Sequence, residues 1–222
     1  LAHGPVELEP SVSETANCGL ILKDGTIVTA GASFAANGNH DGLLMKLQPT
    51  GKEIWRKTTG GPQQESWTSV QKHPGGGFVT AGIRTQDAST ARPWLAHFSG
   101  DGALLWQRTL NTFGKRSIAG LHVGADGSLT LAGSTDGALV DQAWLIGADP
   151  VGQLVWERPL SVGNSTWLGA NALDVHSDGG FAIGGGTLDG GVKKLLLLRA
   201  DPWGHLSCVE AGSCSTPQLK GC

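Results

Sequence analysis

Short apolar–polar runs separated by glycine-centred turns recur along the whole chain. In the stretch 68–73, Val70 and Lys72 fall at alternating positions, as do Leu121 and Val123, and Leu173 and Val175, in two later stretches. Such period-two runs predict strands with one buried face. A second kind of run is continuously apolar: Trp94-Leu-Ala, Trp144-Leu-Ile and Leu195 to Leu198. These predict strands covered on both faces. No stretch carries a helical period of useful length.

The runs belong to an internal repeat. Gly51, Gly102, Gly152 and Gly204 stand at spacings of 51, 50 and 52. A second marker ends at Gly31, Gly82, Gly133 and Gly185, and a third falls at Gly25, Gly76, Gly127 and Gly179. Three of the third-marker turns read Asp-Gly, at Asp24, Asp126 and Asp178, which predicts two-residue hairpins. Each unit holds four strand-like segments; in the second they are 68–73, 78–84, 93–98 and 103–110. Four-stranded antiparallel units at this period predict a β-propeller. The expected fold is thus all-β, a single domain over 1–222 with four blades. The units run 14–64, 65–115, 116–166 and 167–212, followed by a closing tail, 213–222. A fragment of a larger ring and two chains sharing an eight-bladed ring stay open as alternatives.

Trp55, Trp106 and Trp156 occupy one strand position, and the fourth copy carries Cys208 there. Recurrence at a fixed strand position favours an anchor between blades over a ligand-stacking stripe. The cysteines bear on ring closure. Fourteen residues separate Trp55 from Ser69 and Trp106 from Gly120, the position that Cys18 holds in the first unit. Fourteen residues on from Cys208 lies Cys222. The expected pairs are therefore Cys18–Cys222, closing the ring, and Cys208–Cys214 as a local staple. In the chain-entropy model the long bridge contributes on the order of 5 kcal/mol.

The pattern "GGFVTAG … PWLAHFSGDGALLWQRTL" resembles the propeller repeats of secreted and surface-anchored bacterial proteins. Its glycine-to-tryptophan element is similar to the tryptophan-docking motif of quinoprotein-like propellers. The resemblance covers residues 14 to 212 and implies blades. It does not imply the quinoprotein dehydrogenase activity, which needs a larger ring and a calcium-held quinone; this chain has no vicinal cysteine pair. No cofactor is expected.

Composition narrows the class. Thirty-five glycines among 222 residues fit tight turns and disfavour helices. A net charge of −3 without a basic cluster argues against a nucleic-acid surface. No apolar run approaches the roughly 20 residues of a helical membrane span. The start at Leu1, without a signal-peptide pattern, is read as a processed or trimmed mature chain. An even cysteine count with low charge points to a secreted, periplasmic or cell-surface location.

Function is expected on the blade-to-blade and second-to-third connections, which are long and dissimilar. Candidate contacts there are His40, Asp41, Trp67, Arg84, Asp87, Arg92, Phe113, Arg116, Asp141, Trp167 and Lys193. For catalysis the signal is thin. His73 and His176 recur at equivalent positions, a structural pattern. His122 and Asp174 share a register one unit apart, yet a metal or acid–base site needs a third group. No nucleophile elbow, zincin motif or EF-type loop occurs, so no catalytic or metal residue is assigned. The expected function is a non-enzymatic interaction or scaffold module that binds a protein partner, as part of a larger complex. A glycan-binding lectin and an enzyme with a site at the central channel are the alternatives.

Overall fold

The computed structural model describes residues 13–87, 90–112, 115–136, 142–160, 167–189 and 191–207. They form sixteen strands and, among the described residues, no helix. The first sheet holds β1 (Ser13–Ile21), β2 (Ile27–Phe34), β3 (His40–Leu47) and β4 (Glu53–Thr59). The second holds β5 (Glu65–Lys72), β6 (Phe78–Asp87), β7 (Thr90–Phe98) and β8 (Leu104–Thr109). The third holds β9 (Lys115–Val123), β10 (Leu129–Asp136), β11 (Ala143–Ala148) and β12 (Leu154–Leu160). The fourth holds β13 (Trp167–Val175), β14 (Phe181–Asp189), β15 (Val192–Ala200) and the two-residue β16 (Leu206–Ser207). Every strand pairs antiparallel with the next, so each sheet is an up-and-down meander.

The sheets stack in chain order, and alternation along each strand decides what faces what. One face of each sheet looks forward to the next sheet, and the other looks back. Val28, Ala30 and Leu44 of the first sheet pack on Trp67, Val70, Trp94 and Phe98 of the second. Val79, Ala81 and Leu95 of the second pack on Ile118, Leu121, Leu131 and Trp144 of the third. Ala132 and Leu145 of the third pack on Phe181, Ile183 and Leu196 of the fourth. Polar bridges span two of these seams. Asn17 Nδ2 donates to the Trp67 carbonyl at 2.8 Å, and the Ala170 amide donates to Ser134 Oγ at 3.0 Å.

The turns differ from the sequence expectation in type. At the third marker, Gly25 N donates to the Leu22 carbonyl, and Leu22 N donates to the Thr26 carbonyl. This is a three-residue loop, a type I turn closed by a glycine bulge, rather than a two-residue hairpin. All eight marker turns repeat the hydrogen-bond pattern, with their glycines at positive φ between 78° and 100°. The aspartate has a different job in this loop: Asp24 Oδ1 accepts from Thr26 N at 3.0 Å and from Thr26 Oγ1 at 2.7 Å.

The tryptophans are anchors between sheets. A Cβ on Gly102 would stand 3.1 Å from Trp55 Cε3. On Gly152 it would stand 2.7 Å from Trp106 Cζ3, and on Gly204 2.8 Å from Trp156 Cζ3. Each indole therefore lies against the last turn of the following sheet, where only glycine leaves room. Lys57, Arg108 and Arg158 flank the same glycines through their apolar stems.

The stack is propeller-like, but the described residues do not close a ring. Among the described residues, no interface comparable to the three internal ones joins the fourth sheet to the first. Two expectations change as a result. The run from Leu195 to Leu198 is covered on one face only: Leu196 and Leu198 are buried, whereas Leu195 is 90% and Leu197 65% exposed. Their side chains look forward, where no described sheet follows. Among the described residues no disulfide is seen. Cys18 is a free, half-buried thiol that packs with the cluster between the first and second sheets. The partners expected for it and for the staple, Cys208, Cys214 and Cys222, lie outside the described residues.

Candidate functional site

The long connections gather at one end of the stack, and their described residues form a polar network between the first two sheets. Glu65 is the first residue of β5, and its side chain is fully buried. Arg84, paired with it across β5 and β6, donates from Nε to Glu65 Oε1 at 3.1 Å. The same guanidinium reaches Gln107 Oε1 at 3.2 Å and Thr109 Oγ1 at 3.4 Å. It lies 4.4 Å over the Trp94 ring, whose other side stacks on Trp67 with centroids 3.5 Å apart. Planar guanidinium and indole suit such a layered stack.

Burial pushes the Glu65 carboxyl above its usual range, and the Arg84 charge pulls the other way. Asp41 across the seam raises it further. Three polar atoms here are buried without a partner: Glu65 Oε2, Asp41 Oδ1 and Trp67 Nε1. The seam is tight around them. A Cβ on Gly42 would stand 2.4 Å from Trp67 Nε1, and one on Gly60 2.2 Å from Asp41 Oδ1. The network is a packed polar core rather than an open pocket.

This placement sorts the candidate contacts. Trp67 and Arg84 are internal: Trp67 is fully buried in the seam and Arg84 is held by four groups of its own sheet. Both are corrected from surface contacts to parts of the scaffold. His40 and Asp41 are half-buried neighbours at the start of β3, and Phe34 lies 5.1 Å from the His40 ring. Arg92 is half-buried and hydrogen-bonds Asn111 through Nη1. Lys193 is exposed on β15, on the same face as Leu195 and Leu197. Phe113 and Asp141 lie outside the described residues, as do the side chains of Asp87, Arg116 and Trp167. Sequence reasoning missed Glu65. The available signal was its register: Glu14 holds the same position in the first sheet, two residues before the partner of the second-marker glycine.

The opposite, short-turn end holds a cleft of about 510 Å³ between the third and fourth sheets. His122, Thr130, Trp156, Val175 and Phe181 line it. Burial lowers the His122 pKa, and the Asp174 charge acts against that shift, but Asp174 does not line the cleft: it alternates with Leu173 and Val175, which pack toward the third sheet. No third polar group converges on His122 and Asp174, and among the described residues no cluster of three His, Cys, Asp or Glu can hold a metal. His73 and His176 do the same local work: each ring Nδ1 faces a turn amide, of Gly75 at 3.1 Å and of Asp178 at 3.4 Å.

No protein-family model matches the chain, and no curated protein matches it. Solved structures do. The chain is similar to a mutant of puromycin hydrolase complexed with PGG, with a TM-score of 0.54 and 17% identity over 88% of this chain and 30% of that one. It is also similar to a puromycin-hydrolyzing peptidase of Mycobacterium tuberculosis, with a TM-score of 0.55 and 16% identity over 90% and 32%. At these identities the likeness is one of fold, and it supports a propeller-like arrangement. The chain spans less than a third of the length of either protein.

Proposed function

We propose that this chain is a non-catalytic interaction module that binds a protein partner through its long-loop end and the adjoining forward face of the fourth sheet. One observation carries this reading. Leu195 and Leu197 are exposed, although Leu44, Leu95 and Leu145, the counterparts of Leu197 in the other sheets, are buried. Lys193 extends the patch towards the long loops. Exposed leucines beside a lysine on an uncovered strand face are the kind of surface that protein–protein contact buries. The even cysteine count and low charge support a location outside the cytoplasm, where the module would form part of a larger complex.

The test is capture from an extract of the source organism. The native chain is immobilised beside a Leu195→Asp/Leu197→Asp variant, and folding of both is checked by circular dichroism. Capture of a defined protein by the native chain, lost in the variant, is the expected result. The same proteins on both surfaces would overturn the assignment. Binding of both chains to one sugar on a glycan array would replace it with the carbohydrate reading.

A further inference from the structure

The cleft between the third and fourth sheets is opened by two glycines. A cross-strand row of the third sheet, His122, Thr130, Gly147 and Trp156, faces the fourth sheet. Gly147 stands where the first, second and fourth sheets carry Lys46, His97 and Arg199. The turn beside the row repeats the loss. Leu22, His73, Gly124 and His176 hold one turn position, each donating its amide to the carbonyl four residues on. There too the third sheet has the glycine.

The seam between the second and third sheets shows what fills this space when the side chains are present. His73 and His97 lie together with ring centroids 4.2 Å apart, and Trp106 meets His97 edge-on at 5.9 Å. The His73 ring reaches across the seam, since a Cβ on Gly127 would stand 3.0 Å from its Nε2. One seam later Trp156 takes the place of His97. A Cβ on Gly147 would stand 2.2 Å from Trp156 Nε1, so the indole lies over bare backbone. Gly124 puts nothing in the place of His73. On the facing wall a Cβ on Gly179, the counterpart of Gly127, would meet only Pro202, at 3.5 Å. At about 510 Å³ the cleft has the size of a small-molecule site, on the order of 300–1,000 Å³.

We propose that this cleft binds a flat, uncharged nitrogen heterocycle, stacked beside Trp156 where the His73 imidazole lies one seam earlier. Trp156, Phe181 and Val175 give it aromatic and aliphatic walls. No lysine or arginine lines it. Its carboxylate, Asp149, is turned into its own loop, where Oδ1 accepts from the Val151 and Gln153 amides at 3.0 and 2.7 Å. A charged ligand would therefore lose its hydration without a partner. His122 and Thr130, paired on neighbouring strands, present an imidazole and a hydroxyl to the ring's edge. A ring nitrogen also has a local precedent: Nδ1 of His73 and of His176 accepts from the turn amide two residues on. In the third sheet the corresponding amide, of Asp126, has no imidazole to meet. The site lies on the other side of the fourth sheet from Leu195 and Leu197, so it goes beyond the interaction reading and stands or falls separately.

The test uses the whole chain in mildly alkaline buffer, where benzimidazole and adenine are uncharged. Calorimetry should show a single equivalent of each bound per chain, and no binding of methyl glucoside. With the indole nitrogens isotope-labelled, the Trp156 resonance, assigned from a Trp156→Phe variant, should shift on titration while that of Trp67, buried in another seam, stays in place. Thr130→Val and His122→Gln, which copy Val79 and Gln71 of the second sheet, should each weaken binding about fivefold. Gly124→His, which copies His73, should abolish it. An added Cβ there presses on Asp126 and Ser128, so its fold is checked by circular dichroism, and the two milder variants carry the test if it fails to fold. Several outcomes would overturn the proposal: no heterocycle bound at millimolar concentration, methyl glucoside bound as tightly, a shift at Trp67 instead of Trp156, or undiminished binding in the folded variants.

Discussion

The Trp106 indole occupies the space that a side chain on Gly152 would need: a Cβ there would stand 2.7 Å from Cζ3. The same glycine sits at φ +78°, where other residues are strained. Gly152→Ala should therefore meet two penalties, backbone strain and overpacking, together on the order of 3 kcal/mol. Gly76 is the control. Its φ is +100°, but nothing lies within 4 Å of an added Cβ. Gly76→Ala should show the backbone penalty alone, about 1 kcal/mol. Urea midpoints decide it: equal losses in the two variants would mean that the tryptophan does not dock on the turn.

Arg84 is the counter-charge of a fully buried Glu65. Removing it by Arg84→Ala strands the carboxylate and should cost about 3–5 kcal/mol near neutral pH. A joint Glu65→Gln/Arg84→Met change should cost less than Arg84→Ala, because no charge is left buried. Burial already holds the Glu65 pKa above 4.5, and loss of Arg84 raises it further. A raised carboxyl favours the native state below 4.5 and loses that advantage as pH rises through the folded value. The defect of Arg84→Ala should accordingly shrink in acid. A defect independent of pH would argue against a charged Glu65.

His73 and His122 are held below the ordinary histidine value of 6.5, in both cases chiefly by burial. For His73 the neighbouring His97 adds to the shift, with ring centroids 4.2 Å apart. The native state then refuses a proton that the unfolded chain binds. Stability is complete above pH 6.5 and falls as pH drops from there towards the folded values. His73→Gln should flatten this slope. A second loss belongs to Asp178, held at about 2 by the Gly180 amide first and His176 second. Its contribution is present above 3.8 and disappears as pH falls through about 2. Denaturation midpoints measured across pH test both windows; an unchanged slope in His73→Gln would remove His73 as the cause.

Features that repeat were legible in the sequence, because the local residue alone decides them. Gly102, Gly152 and Gly204 announced turns, and the tryptophans at fixed strand positions announced anchors. Loop type was not legible. Asp-Gly suits both a two-residue turn and a type I turn with a bulge, and the flanking strands chose the latter. Leu195 to Leu198 reads like the buried β11, yet burial belongs to whatever lies opposite, and nothing described faces Leu195. Trp67 sits in a variable connection and looked accessible. Gly42, in the preceding sheet, opens the slot that takes it inside. The Glu65–Arg84 pair escaped notice because its partners lie 19 residues apart and meet only through β-pairing.

The direction of the tryptophan contacts has a consequence for synthesis. Each anchor leans on a glycine that the ribosome has not yet added: Trp55 on Gly102, Trp106 on Gly152, Trp156 on Gly204. A newly made blade thus emerges with its indole and its forward leucine still in water, and completes its burial only when its successor has been translated. Folding advances along the nascent chain like a closing zip, and the leading edge of that zip is always the sticky one.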